Sequence, residues 1–367
     1  MAEHPRAPGK DSMTTLLDDD RAGSLRLVRD SARGLLPRDG DRRRIRALRF
    51  TRPGYDPAVW RAMGELGWIG LRLPEDEGGS GLGMAEFCAL AEELGAALAP
   101  EPLVYGALSA ALLAGAGRPD LLGGLLAGER LILTAWQETA GRLDVPGTQG
   151  APRPFLPAAA GADCFLIPVA AGGYLALHLQ GSEAARLELA DTQDGGHFGT
   201  LHPTPGEVLV ADLGGRLGDA LDEATLATAA QLLGVMDRAF GVTLDYLRTR
   251  QQFGRPIGSF QTLKHRAVDL QIQIALTRTS IEAAAATLDT PGTPQGQRRA
   301  AVSRAKARAS EAAMLVTRQG VQLHGGIGYT DEADIGLYLR KAMVLAGQFG
   351  SAEWHRRRFA ALAGDED

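Results

Sequence analysis

Hydrophobic residues follow a helical period in the first and last thirds of the chain and a strand-like pattern between them. Leu27, Val28, Ala32, Leu35 and Leu36 share one helical face, the arrangement of an amphipathic helix against a core. Asp56-Pro57 reads as a helix start: the carboxylate can accept from a first-turn amide, and proline gives up an N–H that has no partner there. Trp60, Met63 and Leu66 continue it as a buried stripe. A Gly78-Gly79-Ser80-Gly81 break precedes another helix, with Phe87, Leu90, Ala91, Leu94 and Leu98 as its apolar face and Pro100 as its stop. The Ala/Gly-rich stretch from Ala107 to Gly117 is a closely packed helix.

Between residues 129 and 215, short β-like runs alternate with turn residues. Leu131-Ile132-Leu133, Phe165-Leu166-Ile167, Tyr174-Leu175-Ala176-Leu177 and Val208-Leu209-Val210 are the strand candidates, separated by glycine and proline. So short a zone predicts a small sheet or barrel. The helical period then returns, with Leu226, Leu233, Met236, Phe240, Leu244 and Leu247 as one stripe, followed by Ala- and Arg-rich stretches over 271–288 and 297–323. Long helices with short joints predict an antiparallel bundle, and so much alanine implies close helix approach, including across a subunit interface. The expected fold class is α+β, mainly α. It comprises a disordered tail over 1–20, an N-terminal helical domain over 21–128, a middle β domain over 129–215 and a C-terminal four-helix bundle over 216–367.

Composition narrows the function without naming it. With 39 Lys and Arg against 44 Asp and Glu, the net charge is −5, which provides no general footprint for nucleic acid. Cys88 and Cys164 sit in apolar runs and read as buried thiols of a reducing compartment; no metal site is expected. No apolar run reaches membrane-spanning length, and the first 20 residues lack a signal peptide's apolar centre, so a cytoplasmic protein without membrane attachment is expected. The basic run Arg42-Arg43-Arg44-Ile45-Arg46, with Arg49 and Arg52, reads as a solvated helix face or loop, with phosphate groups or an acidic partner as the alternative. Trp60, Trp68, Trp136 and Trp354 are expected in the core or an interface, Trp136 in the first strand.

Two clusters carry candidate chemistry. In the first, Tyr246 to Gln261, the pattern predicts a helix ending at Gly254 with Arg250 and Gln252 in its last turn; Arg248, Arg250, Arg255 and Gln261 are donors suited to phosphate oxygens. On composition alone, arginines favouring a helix C-terminus are the better explanation. In the second, Gln322-Leu323-His324-Gly325-Gly326-Ile327-Gly328, the glycines expose backbone N–H groups that an anion can approach. Alone, that is more often a helix cap, and His324 more often a structural histidine.

Together, in this order and spacing, the clusters resemble the acyl-CoA dehydrogenase family, flavoproteins that oxidise the Cα–Cβ bond of acyl thioesters. The resemblance covers residues 24–363 and includes Leu66-Gly67-Trp68-Ile69-Gly70-Leu71 and Glu92-Glu93-Leu94-Gly95. It is nearest to the small-subunit type of pimeloyl-CoA dehydrogenase, through Asp245-Tyr246-Leu247, Gln251-Gln252-Phe253-Gly254 and Phe349-Gly350. The resemblance implies FAD across a subunit interface, with Arg250, Gln252, Phe253, Gln261, Gln322, Gly325 and Gly326 serving its adenosine–pyrophosphate half. The flavin-ring half departs from the family. Gln137-Glu138-Thr139-Ala140-Gly141-Arg142 stands for a Thr-Glu-Pro stretch, and Phe155-Leu156-Pro157 for a Trp-Ile-Thr strand.

The base departs further. Counting from Gly325-Gly326, the family's glutamate position falls on Phe349; the alternative position falls on Ala224, one residue from Glu223 and so turned by about 100° on a helix. No catalytic residue is therefore assigned. The resemblance then implies a small subunit paired with a base-bearing large subunit, acting on an acyl-CoA and passing electrons to an electron-transferring flavoprotein. Such complexes serve bulky or ω-carboxylated acyl groups. Two alternatives stay open: a homomeric enzyme using Glu138, Glu223 or Glu353 as base, and a non-catalytic scaffold.

Overall fold

The computed structural model describes residues 10–39 and 41–363, with only the backbone over 10–20. Helix α1 (Lys10–Leu35) opens the chain. It starts inside the stretch expected to be a tail: Met13, Leu16 and Leu17 hold helical spacing, and neither glycine nor proline interrupts residues 10–22. Residues 1–9 lie outside the described residues. Helices α2 (Arg43–Leu48), α3 (Pro57–Glu65), α4 (Met84–Ala97), α5 (Leu103–Leu113) and α6 (Pro119–Leu126) complete the N-terminal part. Asp56 caps α3 as expected, accepting from the Ala58 N–H at 2.9 Å. Two residues assigned to apolar stripes do not belong there. Leu27 is 72% exposed, and Leu66 lies beyond the end of α3, half exposed.

The Glu92-Glu93-Leu94-Gly95 motif binds three elements together. The Glu93 carboxylate, fully buried, meets Arg29 at 3.1 Å, Arg33 at 2.9 Å and Arg38 at 3.0 Å. Glu92 meets Arg29 at 2.7 Å and, on a later helix, Arg278 at 2.8 Å. A buried carboxylate costs several kcal/mol unless it is paired. Burial raises the Glu92 pKa, but the hydrogen bonds and charges of Arg278 and Arg29 outweigh it and leave the pKa lowered.

The middle part contains two small sheets. In the first, β1 (Ile132–Thr134) runs parallel to β3 (Cys164–Ala171), which pairs antiparallel with β4 (Tyr174–Gly181) and through it with β7 (Glu207–Val210). These are the four expected strands. The second sheet, in the order β2 (Arg153–Pro157), β6 (His197–His202), β5 (Arg186–Asp191), is antiparallel throughout. Its strands lack apolar runs; Arg-Leu-Glu-Leu and His-Phe-Gly-Thr-Leu-His alternate instead, as one-sided strands do.

Helix α7 (Arg216–Thr249) runs through the C-terminal core and packs on α4, α5 and α9 (Gln295–His324). The β8 (Gln251–Gln252) and β9 (Arg255–Pro256) hairpin follows α7, then α8 (Gln261–Asp289); α10 (Ile335–Gly347) and α11 (Ala352–Ala363) close the chain over α9. The α4–α7 crossing is close because it lies at glycines. A Cβ on Gly95 would come within 2.0 Å of the Gln231 carbonyl oxygen, and one on Gly234 within 1.8 Å of the Glu92 carbonyl oxygen. Among the described residues no helix is long and apolar enough to cross a membrane.

Arg43 is solvated, its side chain 90% exposed beside Asp41, but the rest of the basic run is not a solvated face. Arg42 is buried and donates to Tyr338 Oη at 2.8 Å and to the Ala96 and Ala97 carbonyls. Arg44 pairs with Glu101 at 2.7 Å, Arg46 with Asp334 at 2.7 Å and Arg49 with Asp331 at 2.9 Å. These acids are remote in sequence, so no local pattern announces them.

The glycine crossing makes a prediction. Alanine favours a helix over glycine by about 0.8–1 kcal/mol, but overpacking costs about 1–3 kcal/mol. Gly234→Ala should therefore lower the free energy of urea unfolding; a gain in stability would show that the helices do not meet this closely.

Candidate functional site

Helix α7 ends at Thr249, five residues before the expected stop, because the chain turns back on itself as a hairpin. Gln252 pairs with Arg255, and the two loop residues, Phe253 (φ 53°) and Gly254 (φ 75°), both take left-handed backbone. That is the requirement of a tight two-residue hairpin turn. Arg250 is consequently an extended residue capping α7, and Gln252 a strand residue, rather than members of a last helical turn. The Arg255 guanidinium lies 4.2 Å over the Phe260 ring, which also meets Phe253 edge-on. Phe253 is 90% exposed at the tip.

Helix α9 ends at His324, and Gly325 (φ 67°) turns the chain into a 3₁₀ segment over Gly325–Tyr329. A Cβ on Gly325 or Gly326 would meet nothing within 4 Å, so their backbone faces open space. The two clusters are joined by a stack of Tyr246 on His324, centroids 4.4 Å apart and planes 19° apart. The His324 Nδ1–H donates to the Gly320 carbonyl at 2.8 Å and fixes the ring. Arg250, Gln252, Phe253, Gln322, Gly325 and Gly326 therefore lie exposed at one end of the α7–α9 pair. Gln261, also exposed, opens α8 beside the hairpin and contacts His265 at 3.0 Å. Exposed guanidinium and open glycine backbone suit phosphate oxygens, and an exposed aromatic ring suits a base.

The position counted as the family's base is closed. Phe349 is fully buried, stacked on Trp136 at 5.9 Å and 15°, and set against Tyr105 at 4.8 Å. Trp136 is itself buried, so it faces a phenyl ring. The loop carrying Phe349 is held from beneath: His355 Nε2–H donates to the Phe349 carbonyl at 2.7 Å, and Lys306 Nζ to the Ala346 and Gly350 carbonyls at 3.1 and 3.2 Å. Ser351 N–H donates to the Gly141 carbonyl at 2.9 Å and ties this loop to the stretch after β1. Burial pushes the Lys306 pKa down to about 7; burial and the charge of Lys306 push that of His355 down to about 3. Neither residue stood out in the sequence. One signal was present: Val302, Lys306, Ala309, Ala313 and Val316 share a helical stripe, which places Lys306 in an apolar face.

The other acids considered as bases each hold a cation. Glu223 meets Arg72 at 2.6 Å, Glu353 pairs with Arg357 on the exposed surface of α11, and Glu138 lies 3.3 Å from Arg153 and accepts from the Thr148 N–H at 2.8 Å. Phe155-Leu156-Pro157 does form a strand, β2; Phe155 packs edge-on against Phe198, and Pro157 has no N–H to offer.

Comparison with known proteins agrees with this architecture. Residues 24–121 match the family model of the acyl-CoA dehydrogenase N-terminal domain, and residues 216–363 that of the C-terminal domain. The acyl-CoA dehydrogenase IpdE2 of Mycolicibacterium smegmatis is 32% identical, over 91% of this chain and 97% of that protein. Its namesake in Mycobacterium tuberculosis is 30% identical, over 86% and 90%. The chain therefore belongs to the acyl-CoA dehydrogenase family, oxidoreductases acting on CH–CH groups. Among solved structures, the Tcur3481-Tcur3483 steroid ACAD G363A variant superimposes with a TM-score of 0.84 at 28% identity, covering 94% of this chain and 98% of that one. The ChsE4-ChsE5 complex of Mycobacterium tuberculosis gives 0.81 at 25%, with the same coverage. A Mycobacterium smegmatis glutaryl-CoA dehydrogenase in complex with FADH2 shares the fold, with a TM-score of 0.82 at 15% identity, over 96% of this chain and 98% of that one.

A folded-state pKa below the unfolded value makes stability rise with pH between the two. That interval runs from about 7 to the ordinary 10.5 for Lys306, and from about 3 to 6.5 for His355. Lys306→Met keeps the stem and removes the ammonium. It should abolish the alkaline part of this rise, read as the difference between the two proteins in urea unfolding near neutrality and in mild alkali. An unchanged difference across that interval would exclude Lys306 as its source.

Proposed function

We propose that this chain is the base-less small subunit of a heteromeric, flavin-dependent acyl-CoA dehydrogenase. The observation that carries the reading is a contrast: Phe349 is sealed in an aromatic stack where the family places its carboxylate, while Arg250, Gln252, Phe253, Gln322, Gly325 and Gly326 stand exposed. α-Proton abstraction needs a carboxylate within hydrogen-bond reach, worth about 10²–10⁴-fold in rate. Glu138, Glu223 and Glu353 are engaged with arginines, which weighs against a displaced base.

On this reading the exposed residues grip the adenosine and pyrophosphate of an FAD whose ring and acyl-CoA sit in a base-bearing partner. FAD supplies the hydride acceptor for α,β-dehydrogenation. In this chain, Arg250 neutralises phosphate charge, the Gly325 and Gly326 backbone approaches phosphate, Phe253 covers adenosine, and Gln252, Gln261 and Gln322 donate and accept around it. An electron-transferring flavoprotein would be the acceptor for the assembled enzyme. Val268, Ile272 and Leu276 on α8 and Leu315 on α9 are apolar and exposed, as a surface awaiting a subunit would be. The Tcur3481-Tcur3483 and ChsE4-ChsE5 structures favour a two-chain assembly, and the steroid ACAD a bulky acyl group.

Co-expression with a glutamate-bearing relative tests this. The chain alone should purify colourless and inert toward acyl-CoA thioesters, and the complex should be yellow and active. Arg250→Gln in this chain should lower flavin retention in the complex about tenfold, as expected for losing a charge-assisted hydrogen bond. Rapid turnover by the lone chain, abolished by replacing one acid, would establish a homomeric enzyme instead. A complex that stays colourless would leave a scaffold.

A further inference from the structure

The histidine that joins the two clusters has one ring nitrogen to spare. His324 closes α9, and its Nδ1–H donates to the Gly320 carbonyl, one turn back along the helix, at 2.8 Å. A carbonyl oxygen only accepts, so this bond puts the proton on Nδ1 and leaves Nε2 with a bare lone pair. Burial holds the His324 pKa below its ordinary value, outweighing the Gly320 bond, and the ring is neutral near pH 7. Tyr246, stacked at 4.4 Å, keeps the imidazole in one plane. Tautomer and orientation are both set before any ligand arrives.

Nε2 lies across the ring from Nδ1 and so faces away from Gly320, toward the end of α9 where Gly325 and Gly326 turn into open space. It has no hydrogen-bond partner among the described residues. The residue is largely buried, yet this atom is not sealed from solvent. A neutral acceptor therefore stands at the surface among groups of the opposite kind: the exposed Arg250 guanidinium and the open glycine backbone. A phosphate oxygen, itself an acceptor, gains nothing from Nε2. A hydroxyl does.

The neighbouring groups divide a nucleotide between them. Arg250, Gly325 and Gly326 suit its phosphates, and Phe253 suits its base. The part that links phosphate to base is the sugar, whose hydroxyls are its hydrogen-bond donors. We propose that His324 Nε2 accepts a hydrogen bond from a ribose hydroxyl of the adenosine half, and so makes this end of the molecule select a ribonucleotide over its deoxy counterpart. The assignment rests on the reading of this end as an adenosine–pyrophosphate site, and gives a binding role to a residue that otherwise only joins α7 to α9.

Competition for the flavin-stripped complex with a glutamate-bearing relative tests it, with ADP, 2′-deoxy-ADP and 3′-deoxy-ADP each set against FAD. One deoxy analogue should compete about five- to tenfold more weakly than ADP, as for one lost hydrogen bond. His324→Phe keeps a ring against Tyr246 and removes the acceptor. It should weaken ADP to the level of that analogue and leave the analogue unchanged, whereas a purely structural histidine would weaken both alike. In the full chain alone, nitrogen NMR should show a neutral His324 ring with its proton on Nδ1. Equal competition by all three nucleotides, discrimination that survives in folded His324→Phe, or a proton on Nε2 would overturn the proposal. Where ADP still competes and Arg250→Gln weakens it, the adenosine–pyrophosphate reading outlives that failure; ADP that does not compete at all would overturn both.

Discussion

One benzyl ring closes the position counted as the family's base. Phe349 fills the space between Trp136 and Tyr105, and its backbone is left-handed (φ 51°). For a residue with a Cβ that conformation costs about 1–2 kcal/mol. Full burial of the ring returns about 1.5–3 kcal/mol, and carbonyl hydrogen bonds from His355 and Lys306 hold the loop in place. The balance favours the closed loop even though the underlying lysine is fully buried with neutral acceptors. That packing closes the space around Phe349, while the hairpin after α7 and the glycines after α9 stay open at the other end.

The helical parts were legible because a long amphipathic period survives almost any tertiary context. Leu226, Leu233, Met236, Phe240 and Leu247 are all buried in α7, as their spacing requires. The second sheet was not, because β5 and β6 present alternating rather than continuous apolar residues, and alternation over six residues is a weak pattern. The hairpin after α7 was missed for a different reason: Gly254 and Pro256 stop a helix and build a tight turn equally well, and Phe253 is an unusual residue for left-handed backbone. Arg42, Arg44, Arg46 and Arg49 find partners more than 50 residues away, which only the folded topology brings near.

At the site, residue type and spacing picked out Arg250 and the glycine pair, and counting along the family pattern put Phe349 at the base position. It did not find what replaces the carboxylate's surroundings. Tyr105, Trp136, Lys306 and His355 come from four separate stretches and converge only through packing. Phe349 in place of an acid can be read from the sequence; the aromatic stack around it and the two buried hydrogen-bond donors beneath it come only from the fold.

Phe253, at the tip of a rigid two-residue turn, and the apolar row on α8 have a cost for the lone polypeptide. Each large side chain left in water forgoes about 1.5–3 kcal/mol of burial, so any surface that covers Phe253 or the row of Val268, Ile272 and Leu276 recovers that energy on contact, whichever molecule supplies it.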